Sequence, residues 1–206
     1  MITKDIKREI RAATGRSYAE AAEAASRRLA VEAAGGGLVD VAFTETESPL
    51  GTLLIASTPK GLVRLAYPDE DREEVLEDLS RSVSPRILEA PERLDEVRRE
   101  LDDYFEGRRR EFDFEVDFAL TKGFVRRVLR ATARIPYGEL ATYRVVAQDA
   151  GNVRAVRAAG NALGSNPIPI VVPCHRVIRT GGGLGGYTGG LHRKEYLLKL
   201  EGVRAG

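Results

Sequence analysis

The chain has 206 residues, 43% of them hydrophobic and 31% charged, the balance of a soluble globular protein with enough length for one large domain or two small ones. One cysteine and two histidines exclude an internal disulfide framework and a structural zinc cluster, and they point to a reducing, cytoplasmic interior. No apolar run approaches the ~20 residues needed to cross a bilayer, the charged start MITKDIKREIR does not read as a secretory signal, and the formal net charge is only +1.

The first 34 residues read as helix, with Ser17 and Glu20 at capping-box spacing and an Ala-rich stretch that GGG at 35–37 breaks. Residues 1–37 are therefore expected to form a helical extension. From Leu38 the pattern changes to short β-like runs, LVDVAFTE, GTLLIAS and GLVRLAY, separated by the turn signals SPLG and TPKG, which suggests an antiparallel meander. PDEDREEVLEDLSRS reads as a helix with acidic residues in its first turn. A second helix is expected from Pro91, placing Leu94, Val97, Leu101, Tyr104 and Phe105 on one stripe until Gly107 stops it. Strands followed by helices make residues 38–118 a small α+β domain with an antiparallel sheet.

Residues 119–206 are mainly helical and basic. Cut after Phe118, the first part carries 18 Lys/Arg against 27 Asp/Glu, a net −9, and the second 14 against 4, a net +10. A segment of that charge suits phosphate neutralisation, or docking on its own acidic partner domain. Phe124, Val125, Val128 and Leu129 share one helical face. TYRVVAQDA reads as a short helix ended by Gly151, and NVRAVRAAGNALGSN as another with Asn152 as N-cap. The pair has a helix-turn-helix pattern, winged-helix-like in class, though other helical hairpins share it. The small residues Ala155, Ala158, Ala159, Gly160 and Ala162 permit close approach to a duplex or to another helix. GGGLGGYTGG at 181–190 lacks the features of a phosphate loop; it fits a loop moulded round a flat base, or a plain surface loop.

The lone Cys174 lies in IPIVVPCHRVI. A free cysteine is most often inert core. Here Pro173 suits the start of a helical turn, and His175 and Arg176 follow, so a helix dipole, nearby positive charge and a proton acceptor are three expected aids to ionisation. Adjacent residues in a strand point to opposite faces, so cooperation of Cys174 with His175 requires PCHR to be a turn. His175 is either a hydrogen-bonded packing residue or, paired with a buried acid, a proton relay. The acids of the basic half are Glu139, Asp149, Glu195 and Glu201.

Together, IPYGELATY, GNVRAVRAAGNALGSNP, NPIPIVVPCHRVI and GGYTGGLHRKEYLLKLEG resemble the O6-alkylguanine-DNA alkyltransferase family, weakly from residue 38 and densely from Gly123 onward. The resemblance implies irreversible, single-turnover transfer of an alkyl group from O6-methylguanine, or O4-methylthymine, in flipped-out double-stranded DNA to Cys174. It makes His175 a water-linked base, Glu201 the acid orienting it, and Asn166 the residue tying the turn together. It makes Arg157 the finger that replaces the extruded base, on a minor-groove helix that the small residues Ala155, Ala158 and Gly160 let approach. Tyr143 becomes the residue that rotates the phosphate and helps protonate the leaving guanine. Leu184, Gly185, Tyr187, Thr188 and Leu163 become lining of the base pocket. The Cys and His ligands of zinc-bearing members are absent, so no metal is expected, nor any cofactor, and a monomer is expected. Two other classes remain: a module that senses alkylated DNA without chemistry, and a Cys-His hydrolase.

Overall fold

The computed structural model describes residues 39–203. The expected N-terminal helix, its Ser17–Glu20 box and the GGG break lie outside the described residues.

Strands β1 (Val41–Thr46), β2 (Leu53–Thr58) and β3 (Gly61–Ala66) form the expected meander, with β1–β2 and β2–β3 both antiparallel. A fourth strand, β4 (Ile87–Glu89), joins β1 in parallel, so the sheet order is β3-β2-β1-β4 and the sheet is mixed rather than purely antiparallel. Three residues carry no period-2 signal, which is why β4 is silent in the sequence.

Alternation sorts the two faces of the sheet. Val41, Phe43, Leu54, Ala56 and Val63 pack with Val75 and Leu79 of α1 (Arg72–Ser82). Ala42, Leu53, Ile55, Leu62 and Leu65 face the other way, into a core shared with the second half of the chain. With both faces covered, all six residues of β2 are buried. Asp71 caps α1 by accepting from the Glu73 and Glu74 amides.

Pro91 opens a 3₁₀ turn, Pro91–Leu94, and the regular helix α2 runs Asp95–Phe105, later than the sequence pattern suggests. Its predicted stripe is buried throughout. The following segment covers the edge of β3: Leu62 N–H donates to Glu115 O at 2.8 Å and Asp117 N–H to Leu62 O at 2.8 Å. Gly61 is required there, because at φ 127° a Cβ would lie 2.1 Å from the Glu115 carbonyl oxygen.

The second half holds α3 (Gly123–Thr132), α4 (Tyr143–Asp149), α5 (Val156–Gly164) and α6 (Leu191–Leu200). Helices α3, α4 and α5 meet through Val128, Leu129, Val146, Ala147, Ala159 and Ala162. Asn152 is not the cap of α5: its side chain accepts from Arg154 N–H at 3.1 Å in a local turn, and the helix starts at Val156 without a side-chain cap. Two-residue strands β5 (Ala141–Thr142) and β6 (Val177–Ile178) pair in parallel, tying the start of α4 to the chain just past Cys174. No helix among the described residues is long and apolar enough to cross a membrane.

Candidate functional site

The turn carrying Cys174 is built on Asn166. Its side-chain amide donates to Val172 O at 2.8 Å and to Cys174 Sγ at 3.1 Å, while its oxygen accepts from Ile168 N–H at 3.0 Å. Within this loop Ile170, a β-branched residue, is held at φ 72°, a left-handed conformation costing about 1–3 kcal/mol. The surrounding core enforces it, since Ile170 is fully buried. The edge of β3 holds the same loop from outside, with Leu65 N–H donating to Pro167 O at 2.9 Å and the Arg64 guanidinium at 3.0 Å. Cys174–Arg176 form a 3₁₀ turn with Pro173 just before it, so PCHR does turn as its chemistry requires.

Of the four acids in the basic half, Glu201 lies behind this turn; Glu139, Asp149 and Glu195 are exposed. Its Oε1 is 2.9 Å from His175 Nε2, accepts from Tyr104 Oη at 2.7 Å, and shares with Oε2 the two-pronged guanidinium of Arg176 at 2.8 and 2.9 Å. Burial alone would raise this carboxyl, but the hydrogen bonds from His175 and Arg176 prevail and bring its pKa down to about 2. Burial lowers the pKa of His175 despite the neighbouring carboxylate, so the imidazole is neutral. With Nε2–H donating to an ionised Glu201, Nδ1 is left as the basic nitrogen; it is buried and has no partner among the described residues.

The expected aids to thiol ionisation need correction. A three-residue 3₁₀ turn has no aligned macrodipole to offer. Neutral His175 lends no charge. Cys174 is only 5% exposed, and burial pushes its pKa up to about 11, with the Asn166 hydrogen bond, the Lys194 charge and the Tyr187 hydroxyl pulling weakly the other way. The resting group is a thiol. Its cation is Lys194 on α6, two turns before Glu201, which caps that helix, and silent in the sequence pattern. The Lys194 ammonium is fully buried, donates to Val177 O at 2.6 Å and to Leu184 O, and has its pKa lowered to about 8 by burial.

Cys174 lines a cavity of about 670 Å³ with Tyr143, Arg157, Gly160, Leu163, Tyr187 and Thr188. That volume is in the range of small-molecule sites. His175, Glu201 and Asn166 stand behind the sulfur. Leu184 and Gly185 do not line the cavity: the Leu184 carbonyl holds Lys194, and Gly185, at φ 72°, lies so close to Tyr143 that a Cβ would sit 2.6 Å from its hydroxyl. Ala155 and Ala158 are also outside the cavity, half-buried and exposed respectively, flanking the exposed Arg157, while Ala159 and Ala162 face the other helices. The glycine loop is pinned at both sides, Thr188 Oγ1 donating to Gly164 O at 2.7 Å and Tyr143 Oη to Gly186 O at 3.4 Å. Asn161, Arg179 and Thr180 also line the cavity and escaped the sequence analysis. Arg179 and Thr180 precede the glycine run at the end of β6, where a strand-end rule could have flagged them.

Residues 41–118 match the family profile described as 6-O-methylguanine DNA methyltransferase, ribonuclease-like domain, and residues 123–203 the one described as 6-O-methylguanine DNA methyltransferase, DNA binding domain. A methylated-DNA–protein-cysteine methyltransferase of Methanosarcina barkeri is 41% identical over 156 residues, covering 75% of this chain and 93% of its own. The inducible one of Bacillus subtilis is 41% identical over 148 residues, covering 71% and 82%. Among solved structures, Mycobacterium tuberculosis O6-methylguanine methyltransferase superposes with a TM-score of 0.64 at 38% identity, covering 78% of this chain and 92% of its own. A structure of Mycobacterium tuberculosis OGT in complex with DNA superposes equally, at 0.64 and 37% identity, with the same coverage.

Proposed function

This chain belongs to the 6-O-methylguanine DNA methyltransferase family, and from that premise we propose that it repairs double-stranded DNA by transferring the O6-methyl group of guanine to Cys174, its one cysteine. The observation that carries the assignment is the position of that sulfur. It stands in the wall of a cavity beside an exposed, arginine-bearing helix, with a neutral imidazole and an ionised carboxylate behind it.

A methyl carbon on guanine O6 is out of reach inside stacked DNA, so the nucleotide leaves the duplex at a cost of a few kcal/mol. Arg157, at the start of α5, enters the vacancy and slows return, while the cationic surface of residues 119–206 holds phosphates. The flipped base enters between Tyr143, Tyr187 and Leu163. A bond forms from Sγ to the methyl carbon as the bond to guanine O6 breaks. The thiol proton passes through water to His175 Nδ1, and Glu201 offsets the charge of the imidazolium. Tyr143 supplies a proton to the departing guanine.

The product is S-methylcysteine, which has no hydrolysable bond, so each monomer acts once and needs no cofactor. The division into two domains near Phe118, and a cytoplasmic location that keeps the thiol reduced, belong to the same proposal. The family matches, which end at 118 and resume at 123, support the division. Incubation with duplex DNA containing O6-methylguanine should add one methylene equivalent of mass at Cys174, while Cys174→Ala should bind the same DNA and gain nothing. A wild-type mass that stays constant while its thiol remains titratable would refute the proposal. A panel with O4-methylthymine and longer alkyl lesions then ranks the substrates.

A further inference from the structure

The sulfur has a second approach, from the N-terminal half. Tyr67 follows β3 and is 4% exposed. Its hydroxyl is 2.6 Å from that of Tyr187, with the two rings edge to face at 6.3 Å. Tyr187 in turn lines the cavity with Cys174, close enough for its hydroxyl to lower the thiol's pKa. The Tyr67 ring is clamped from behind. The Arg193 guanidinium stands 4.4 Å above it, held by Asp69 at 2.7 Å and Gly189 O at 2.9 Å. Gly189 is bare so that the ring fits: a Cβ there would fall 2.4 Å from Tyr67 Cε2.

A phenol has one proton. When Tyr187 donates a hydrogen bond to the sulfur, its oxygen can still accept one, and the Tyr67 hydroxyl, which has no other hydrogen-bond partner among the described residues, is in place. We propose that Tyr67 is a positioning residue of the transfer: its hydroxyl donates to Tyr187 and so commits the Tyr187 proton to a hydrogen bond with Cys174, steadying the thiolate from within the cavity. The proton is not transferred. It stays on Tyr187 and is shared with the anion, and chained hydrogen bonds of this kind strengthen one another where water is excluded. The role in methyl transfer rests on the function proposed above; the effect on the thiol does not.

Tyr67→Phe removes only the hydroxyl and keeps the ring under Arg193. Iodoacetamide labelling of Cys174, followed by intact mass between pH 7 and 10, should slow about three- to tenfold, the size of one lost hydrogen bond between neutral groups. Single-turnover methyl transfer at saturating DNA should slow equally, with the Kd for DNA unchanged and the pH profile moved to higher pH. Tyr187→Phe should produce the same slowing of labelling, and adding Tyr67→Phe to it should change labelling less than twofold. An unchanged labelling rate in Tyr67→Phe, or an undiminished effect of Tyr67→Phe in the Tyr187→Phe background, overturns the proposal. If wild type labels as described but takes no methyl group from DNA, the repair function fails while the tyrosine pair stands.

Discussion

Among the described residues Asn166 is the one side chain bonded both to the sulfur and to the loop that presents it, so its replacement separates electrostatics from scaffolding. Asn166→Ala deletes the 3.1 Å bond to Sγ, leaves Ile168 N–H without a partner, and leaves Val172 O with the Cys174 N–H alone. A hydrogen bond to a charged group is worth about 1.5–3 kcal/mol, which at 1.36 kcal/mol per pKa unit raises the thiol a further one to two above its present value of about 11. Below the pKa every such unit is a tenfold loss of thiolate. The more basic thiolate recovers roughly 0.4–0.5 of each decade in nucleophilicity, so labelling by iodoacetamide between pH 7 and 10 should slow about three- to fifteenfold. Because the chain has one cysteine, each added mass reports this position alone. Asn166→Asp keeps an acceptor for Ile168 N–H but sets a carboxylate about 3 Å from the sulfur, a repulsion of about 5 kcal/mol at an effective dielectric of 20. The expected order of labelling is wild type, then Ala, then Asp. A loosened loop alone predicts Asp milder than Ala, and that order in two folded variants would refute the electrostatic reasoning.

Three further changes test the surroundings. Glu201 has a folded pKa of about 2 against an ordinary 4.5, so its stabilisation, up to about 3 kcal/mol, is complete above about pH 4.5 and is lost as the pH falls toward 2. Glu201→Gln cannot titrate and turns an amide toward buried donors; urea denaturation should show it less stable at pH 7, with the gap to wild type narrowing between pH 5 and 2, whereas a pH-independent gap would contradict the assignment. Lys194→Met removes the cation that lowers the thiol's pKa, so its labelling should lag wild type about three- to tenfold at pH 7 and catch up as wild type passes pH 8 and Lys194 loses its own charge; a constant ratio from pH 7 to 9 speaks against coupling. Arg157→Ala should slow methyl transfer from duplex DNA at least tenfold and from a single strand much less, since a single strand leaves no vacancy to fill; equal losses on both would remove its role in base extrusion.

How much of this was legible varies with the length of the signal. Strands of six residues with turn signals between them, and a five-residue stripe running from Leu94 through α2, are repeated patterns that local chemistry writes into the chain. The two-residue ladder between β5 and β6 and the three residues of β4 carry no such repetition, and their pairing is decided by what the tertiary fold brings alongside. Asn152 shows the limit of a local rule: its side chain does cap a backbone N–H, but in a turn ahead of the helix, which starts at Val156. At the site, Cys174, His175 and Asn166 stand within nine positions, and a motif can name them. The contacts of Glu201 with Tyr104, and of Tyr187 with Tyr67, span 97 and 120 positions and exist only once the two halves share a core. Burial escaped as well. Neighbouring His and Arg suggest an acidic thiol, yet Arg176 spends its charge on Glu201, and the dry surroundings of the sulfur outweigh what charge remains.

That outcome bears on how a group used once survives until it is needed. With a pKa of about 11, the thiol is ionised at pH 7 in about one molecule in ten thousand, a deficit of about 5.5 kcal/mol against full ionisation. Small electrophiles from solution therefore meet a protonated sulfur at the inner wall of a cavity, and they react slowly. A flipped base differs because it stays. In the proposed reaction Tyr143 and Tyr187 hold it, keeping the methyl carbon beside Sγ for as long as the complex lasts. Proton loss then needs to happen only within the transfer itself. His175 Nδ1 is unprotonated and has no partner among the described residues, Glu201 is already ionised to receive the imidazolium charge, and Asn166, Lys194 and Tyr187 oppose the charge that grows on sulfur. These groups lose nothing to reorganisation, because the folded core has fixed them beforehand. A resting thiolate would gain rate on DNA at the cost of alkylation by any soluble electrophile, and for an acceptor with a single turnover that exchange is unfavourable.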